Sequence, residues 1–288
     1  MIENTLVELR SMHLHEIGNC MLLSDAEGWN QTENDWKRLV ENPQNSCLIA
    51  VYEHRIVGTA IAMNYANEVA WIGMVLVDKA YRGRGISKML FSDLLSRHKT
   101  FRSVKLDATP AGQSIYEKYG FKDEYIICRM TNPALENFQP EESGVTPEPI
   151  LLSDIPEVTV LDASIFGVER VYLLKSLIKD NPDKAWLIKR NGRITAFALG
   201  RQGKKYHQIG PVYASSTIEA MTLISHALVN LVSQPVVIDI PSDKKELVQW
   251  LNSLGFTSQR QFVRMYWQTN RCPGKTENQF LICGPEFG

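Results

Sequence analysis

Apolar positions between residues 75 and 95 change period partway along. Val75, Leu76 and Val77 form a continuous apolar run of strand type. A charged turn follows, from Asp78 to Gly83. From Ile86 the apolar residues recur at Met89, Leu90, Leu94 and Leu95, the three-and-four spacing of one helical face. The pattern predicts a strand, a turn at Arg82-Gly83-Arg84-Gly85, and an amphipathic helix. The first backbone N–H groups of such a helix lack partners, and its dipole adds positive potential there. Glycine lets an anion approach that backbone without a Cβ in the way. The segment therefore reads as a pyrophosphate site.

The same alternation of strand and helix occurs twice. Leu106-Asp107, a helix, Gly120-Phe121 and Arg129-Met130 are matched by Ile238-Asp239, a helix, Gly255-Phe256 and Arg264-Met265. The step from Gly-Phe to Arg-Met is nine residues in both. Residues 134–149 carry three prolines, a glycine and several acidic residues, which marks a linker. The expected domains are thus 1–133 and 150–288. The second copy of the turn, Ile209 to Ala220, lacks both Gly-x-Gly and arginine, so the second domain is expected to be degenerate for an anion ligand.

Composition narrows the class. The 288 residues are 44% hydrophobic and 22% charged, ordinary for a globular protein. A formal net charge of −1 argues against a nucleic-acid binder. Basic residues gather around the turn (Lys79, Arg82, Arg84, Lys88), which suits one phosphorylated small molecule. No apolar run is long enough to span a membrane and no signal peptide is evident, so a cytoplasmic location is expected. Five cysteines without a Cys-x-x-Cys pair indicate buried thiols rather than disulfides, and the scattered histidines suggest no metal site.

Arg82-Gly83-Arg84-Gly85-Ile86-Ser87 resembles the signature of the GNAT superfamily of acyl-CoA-dependent N-acyltransferases, Gln/Arg-x-x-Gly-x-Gly/Ala, with Ser87 in place of the final small residue. A second family element follows at Leu106–Phe121. Gly28 to Trp36, Trp71 to Val75, Phe166 to Arg170 and the tail Gly284 to Gly288 extend the resemblance to bacterial two-domain GNAT proteins over nearly the whole chain. The resemblance implies a mixed α/β (α+β) fold: two tandem GNAT-like domains, each a mostly antiparallel sheet flanked by helices. It implies acetyl-CoA or a related acyl-CoA as co-substrate, and a primary amine of a small molecule as acceptor. Self-association is left open.

The resemblance also suggests roles. Met74, Val75, Leu76 and Val77 would lie along the pantetheine arm as a splayed strand, with Arg82, Gly83, Arg84, Gly85, Ile86 and Ser87 around the pyrophosphate. Tyr116 stands where the family places its proton donor to the CoA sulfur. Candidate bases are Glu68, Asp107 and Glu27; Asp107 could instead bond the turn at Thr109. Trp29, Asn30 and Trp36 fall where the family holds its acceptor, although a tryptophan pair also suits a core. Asp162, Phe166 and Arg170 are their second-domain counterparts, with Arg170 a partner for an acceptor carboxylate or for a surface salt bridge. The acceptor pocket is expected between the domains.

Two other readings compete. Gly83-x-Gly85 with Asp107 some 22 residues on imitates part of a dinucleotide fingerprint, but Lys88 replaces its third glycine. A non-catalytic acyl-CoA sensor or partner-binding module on relict folds is the alternative to an enzyme.

Overall fold

A computed structural model describes residues 7–136, 138 and 144–288. Much of the expected linker, residues 137 and 139–143, lies outside them. The first half runs β1 (Val7–Ser11), α1 (Ile17–Ala26), α2 (Glu33–Glu41), β2 (Ser46–Tyr52), β3 (Arg55–Tyr65), β4 (Val69–Val77), α3 (Ile86–His98), β5 (Ser103–Ala108), α4 (Pro110–Glu117) and β6 (Phe121–Asn132). The second half repeats the plan: β7 (Glu148–Pro149), α5 (Ile155–Phe166), α6 (Val171–Asp180), β8 (Trp186–Arg190), β9 (Arg193–Gln202), β10 (His207–Tyr213), α7 (Thr217–Val229), β11 (Val236–Pro241), α8 (Lys245–Ser253) and β12 (Thr257–Trp267). A short β13 (Gln279–Leu281) precedes the C-terminal tail.

Local chemistry accounts for these elements. The hairpin between β2 and β3 turns on Glu53 and His54, both at positive φ, and that between β8 and β9 on Asn191 and Gly192. Two consecutive left-handed residues match the twist of the paired strands. Thr32 and Asp35 close a reciprocal capping box on α2. The α3 face predicted from periodicity is buried at Ile86, Leu90, Leu94 and Leu95, against β3 and β4.

The strands form one continuous sheet, in the order β1-β2-β3-β4-β5-β12-β6-β11-β10-β9-β8-β7, with β13 added to β10. Only β4–β5 and β10–β11 pair in parallel among the described residues. Alternate residues of β2, β3 and β4 pack on opposite faces: Ile49, Ile61 and Trp71 beside Trp36 and Leu173, Leu48, Ala60 and Ile72 beside α3. Both faces are thus covered, which is why these strands are apolar throughout.

The two halves exchange their last strands. β12 of the second half lies between β5 and β6, and β6 of the first half lies between β12 and β11. The repeated Asp and Arg residues meet across this exchange. Asp107 on β5 faces Arg264 on β12, and Asp239 on β11 faces Arg129 on β6. Each arginine is bidentate to its aspartate, at 2.7–2.9 Å. All four are buried, so the halves share one interior rather than a surface contact.

Candidate active site

β4 breaks register where the site begins. Ile61 of β3 pairs with Gly73 and Thr59 with Leu76, so β4 carries one extra residue. Met74 takes up the excess at φ 52°, a left-handed conformation that costs a non-glycine residue about 1 kcal/mol or more. The Thr59 hydroxyl holds this bulge by donating to the Met74 carbonyl at 2.8 Å. The parallel pairing of β4 with β5 ends at Ile72↔Leu106. Beyond it β4 has no further pairing with β5 and diverges, while β5 stays paired on its other edge to β12. A cavity of about 100 Å³ sits at this divergence. Met74, Val75, Asp107 and Tyr116 border it from the first half, and Arg260, Phe262, Pro285 and Glu286 from the second.

Gly83 and Gly85 both hold positive φ, 76° and 80°. A Cβ at Gly83 would meet nothing, and Gly85 caps α3 without a side chain, so the helix start is open on its outer side. The Arg82 side chain reaches Glu27 at 2.5 Å and the Val77 carbonyl at 3.2 Å. Arg84 lies over the Tyr81 ring and donates to the Ala80 carbonyl. Ser87 is half-buried and the Ile86 side chain is core. An open helix start beside a diverging strand fits a pyrophosphate followed by an extended arm.

The corresponding parts of the second half are closed by the protein itself. The Ser216 hydroxyl caps α7, and Ser215 donates both its N–H and its hydroxyl to the Glu219 carboxylate. Burial works against that charge, but hydrogen bonds from Ser215, Arg190 and Thr195 prevail and hold the carboxyl below its usual range. The far end of β10 is paired by β13, which fills the strand gap.

Tyr116 packs its ring on Phe91, with centroids 4.9 Å apart, and its hydroxyl has no hydrogen bond among the described residues. Burial pushes its pKa up to about 12.

Several expected site residues lie elsewhere. Glu68 precedes β4 and pairs with Arg102 at 2.6 Å. Met74 lies six positions further along the strand, roughly 20 Å at about 3.3 Å each, too far for a base. Glu27 is engaged by Arg82 and lies 3.6 Å from Lys79, so it belongs to the glycine loop. Asp107 borders the cavity, but both its oxygens are held by Arg264; neither a base nor a ribose-binding acid is free there. Trp29 borders the cavity, whereas Trp36 is fully buried core. Asn30 is a latch between halves: its amide oxygen accepts the N–H groups of Lys205 and Tyr206, and its nitrogen donates to the Tyr206 carbonyl.

Arg170 and Asp162 form a buried bidentate pair, not a surface one. Arg170 also donates to the Gly288 carbonyl and the Tyr213 hydroxyl, and stacks on Phe166 at 3.7 Å. These three residues anchor the C-terminus instead of meeting an acceptor. Gln31, Arg260, Phe262, Pro285 and Glu286 are among the wall residues to which sequence reasoning assigned no role. The tail motif Gly284–Gly288 pointed at two of them without giving a role.

Removing Asp107 strands the buried Arg264. Asp107→Ala is expected to lower unfolding free energy by about 3–5 kcal/mol, with Arg264→Leu in the same chain recovering part of the loss. Urea denaturation of the single and double variants measures this. A loss under ~1 kcal/mol would mean water reaches the pair.

Residues 24–125 and residues 158–281 each match an acetyltransferase (GNAT) domain family. The chain belongs to the GNAT family of acyltransferases as a tandem protein. It is 27% identical to holothin acyltransferase of Pseudoalteromonas sp. (strain SANK 73390) over 84% of this chain and 81% of that one. It is 24% identical to the uncharacterized N-acetyltransferase YitH of Bacillus subtilis (strain 168), over 98% of each. A crystal structure of a putative acetyltransferase from Pyrococcus horikoshii superposes with TM-score 0.82 at 23% identity, covering 100% of this chain and 98% of that one. A tandem GNAT protein from the clavulanic acid biosynthesis pathway gives TM-score 0.63 at 12% identity, over 90% and 98%. Among the described residues no helix is long and apolar enough to cross a membrane.

Proposed function

We propose that the first half binds an acyl-CoA and that the protein transfers its acyl group to a primary amine of a small molecule. The observation that carries this reading is that the bulged, diverging β4 and Tyr116 line one cavity, while β4 leads through a short turn to the open start of α3. The backbone N–H groups at Gly83–Ser87 and Arg82 would hold the pyrophosphate, and the freed edge of β4 after Ile72 the pantetheine arm. The bound thioester supplies the activated acyl group. A backbone N–H at the Met74 bulge would donate to the carbonyl oxygen, where negative charge develops. A phenol held near pKa 12 keeps its proton and donates a hydrogen bond to a departing sulfur whose own pKa is near ~8.5.

The second half, with its helix start and strand gap occupied, serves as a wall of the acceptor site. The likeness to a holothin acyltransferase supports acyl transfer, and at 27% identity it leaves the acceptor open.

Tyr116→Phe is expected to lower turnover about 100-fold or more, with acetyl-CoA affinity kept within about twofold. Thiol release and calorimetry read the two quantities. Unchanged turnover would remove Tyr116 from the chemistry. Acetyl-CoA binding without thiol release from any amine would favour the sensor reading.

A further inference from the structure

Four charged side chains border the cavity, and three are neutralised by a partner: Asp107 by Arg264, Arg129 by Asp239, and Glu286 by Arg201. Arg260 is the fourth. It projects from β12, is half-exposed, and makes no hydrogen bond or ion pair among the described residues. Burial, with Arg129 adding repulsion, works against its charge. The cavity therefore holds one uncompensated cation.

Two of its wall residues carry a buried acceptor without a donor. Glu286 is only 3% exposed. One of its carboxylate oxygens accepts from Arg201 at 2.5 Å, and the other has no partner. The Gln31 amide oxygen is likewise buried and unpartnered. A buried acceptor left unpaired costs about 1–3 kcal/mol, and a charged one more. An ammonium group brings three N–H donors. The volume of about 100 Å³ equals roughly three waters at ~30 Å³ each, enough for a small polar group beside the thioester.

Resting on the acyl-transfer reading, we propose that the acceptor is an amine that also bears a carboxylate, its ammonium received by Glu286 and Gln31 and its carboxylate by Arg260. Glu286 takes one proton from the ammonium and passes it to solvent. The freed nitrogen lone pair forms the C–N bond at the acyl carbon as the C–S bond breaks. The second nitrogen proton reaches the departing sulfur through solvent, while the Tyr116 hydroxyl keeps its own proton and donates a hydrogen bond to that sulfur. The products are an amide, a free thiol and one released proton. Arg201 is a positioning residue: it fixes the carboxylate through one oxygen and leaves the other for the substrate. Both Glu286 and Arg260 come from the second half, which gives that half a reason to be retained without a cofactor.

The test is calorimetric titration of the full chain with glycine, β-alanine, γ-aminobutyrate and lysine, each beside the matched amine lacking the carboxylate. At least one amino acid should bind roughly tenfold or more tightly than its matched amine. Arg260→Gln should erase that preference while leaving the amine's affinity unchanged. Glu286→Gln should weaken amino acid and amine alike and lower transfer about 100-fold. Both variants should bind acetyl-CoA as the unaltered chain does, which also shows that they fold. No preference in any pair, or a preference that survives Arg260→Gln, would overturn the proposal; should Glu286→Gln fail to fold, Arg260→Gln decides alone. Failure of the unaltered chain to bind acetyl-CoA would instead overturn the acyl-transfer reading, and with it the proton-accepting role of Glu286.

Discussion

A chain ending at residue 135 will not fold and will not bind acetyl-CoA, although it contains the whole glycine loop. The truncation removes β12, which pairs β5 on one side and β6 on the other. Both strands would become open edges in the middle of the former sheet. Asp107 would lose Arg264, and the edge of β5 that carries it would be opened to water. Met265, fully buried beside Leu106 and Phe121, would leave a cavity worth about 2–5 kcal/mol. On the other face, Trp71 would lose its hydrogen bond to the Pro285 carbonyl, and Tyr65 its bond to that of Phe287. Total stability of a domain is about 5–15 kcal/mol, so losses on this scale remove a large part of it. Circular dichroism and thermal melting measure the outcome. A soluble fragment with a cooperative melt and full-length acetyl-CoA affinity would show that the exchange of strands is dispensable.

Gly85→Asp should abolish acyl-CoA binding while leaving the fold intact. Gly85 is the residue before the first turn of α3, at φ 80°. Aspartate tolerates left-handed backbone better than most residues, and at this position it caps a helix. Its carboxylate would accept the N–H groups that α3 now offers outward, and would add a negative charge facing the pyrophosphate. The Ser216 hydroxyl already plays this part at the start of α7, where it accepts the Glu219 N–H. Two lost charge-assisted hydrogen bonds at about 1.5–3 kcal/mol each predict roughly a 100-fold or greater loss of affinity. Calorimetry with acetyl-CoA reads the loss, and the thermal midpoint should stay within a few degrees. Affinity within threefold of the unaltered chain would place the pyrophosphate elsewhere.

The parts of the molecule that sequence disclosed are those governed by local chemistry. The glycine loop is one, because φ near 80° at Gly85 and an uncapped helix start depend on a few adjacent residues. The α3 face and the β2–β3 and β8–β9 turns are others, and so is the repeat itself, since each copy carries its own strand, helix and turn signals. Tyr116 is singled out by the family resemblance of Leu106–Phe121 and not by local chemistry.

What tertiary structure alone decided is who faces whom. A strand's sequence states that it is buried, not which strand lies beside it, and the insertion of β12 between β5 and β6 rests on pairings more than a hundred residues apart. The repeated Asp and Arg residues stood out as a pattern, yet their partners lie in opposite halves, which turned Asp107 from a candidate base into half of a structural ion pair. The same holds for Arg170, whose charge is spent on Asp162 and the chain's last residue. Glu286 shows the reverse. Its sequence neighbours, Gly284, Pro285 and Phe287, say nothing of a cavity. Only the fold carries the tail across Gly73, where a Cβ would lie 3.2 Å from the Glu286 Cα, and sets one carboxylate oxygen on Arg201 with the other unpaired. Ionisable side chains carry the same charge in any sequence context. Which of them remain available for chemistry depends on the counter-charges that folding brings alongside.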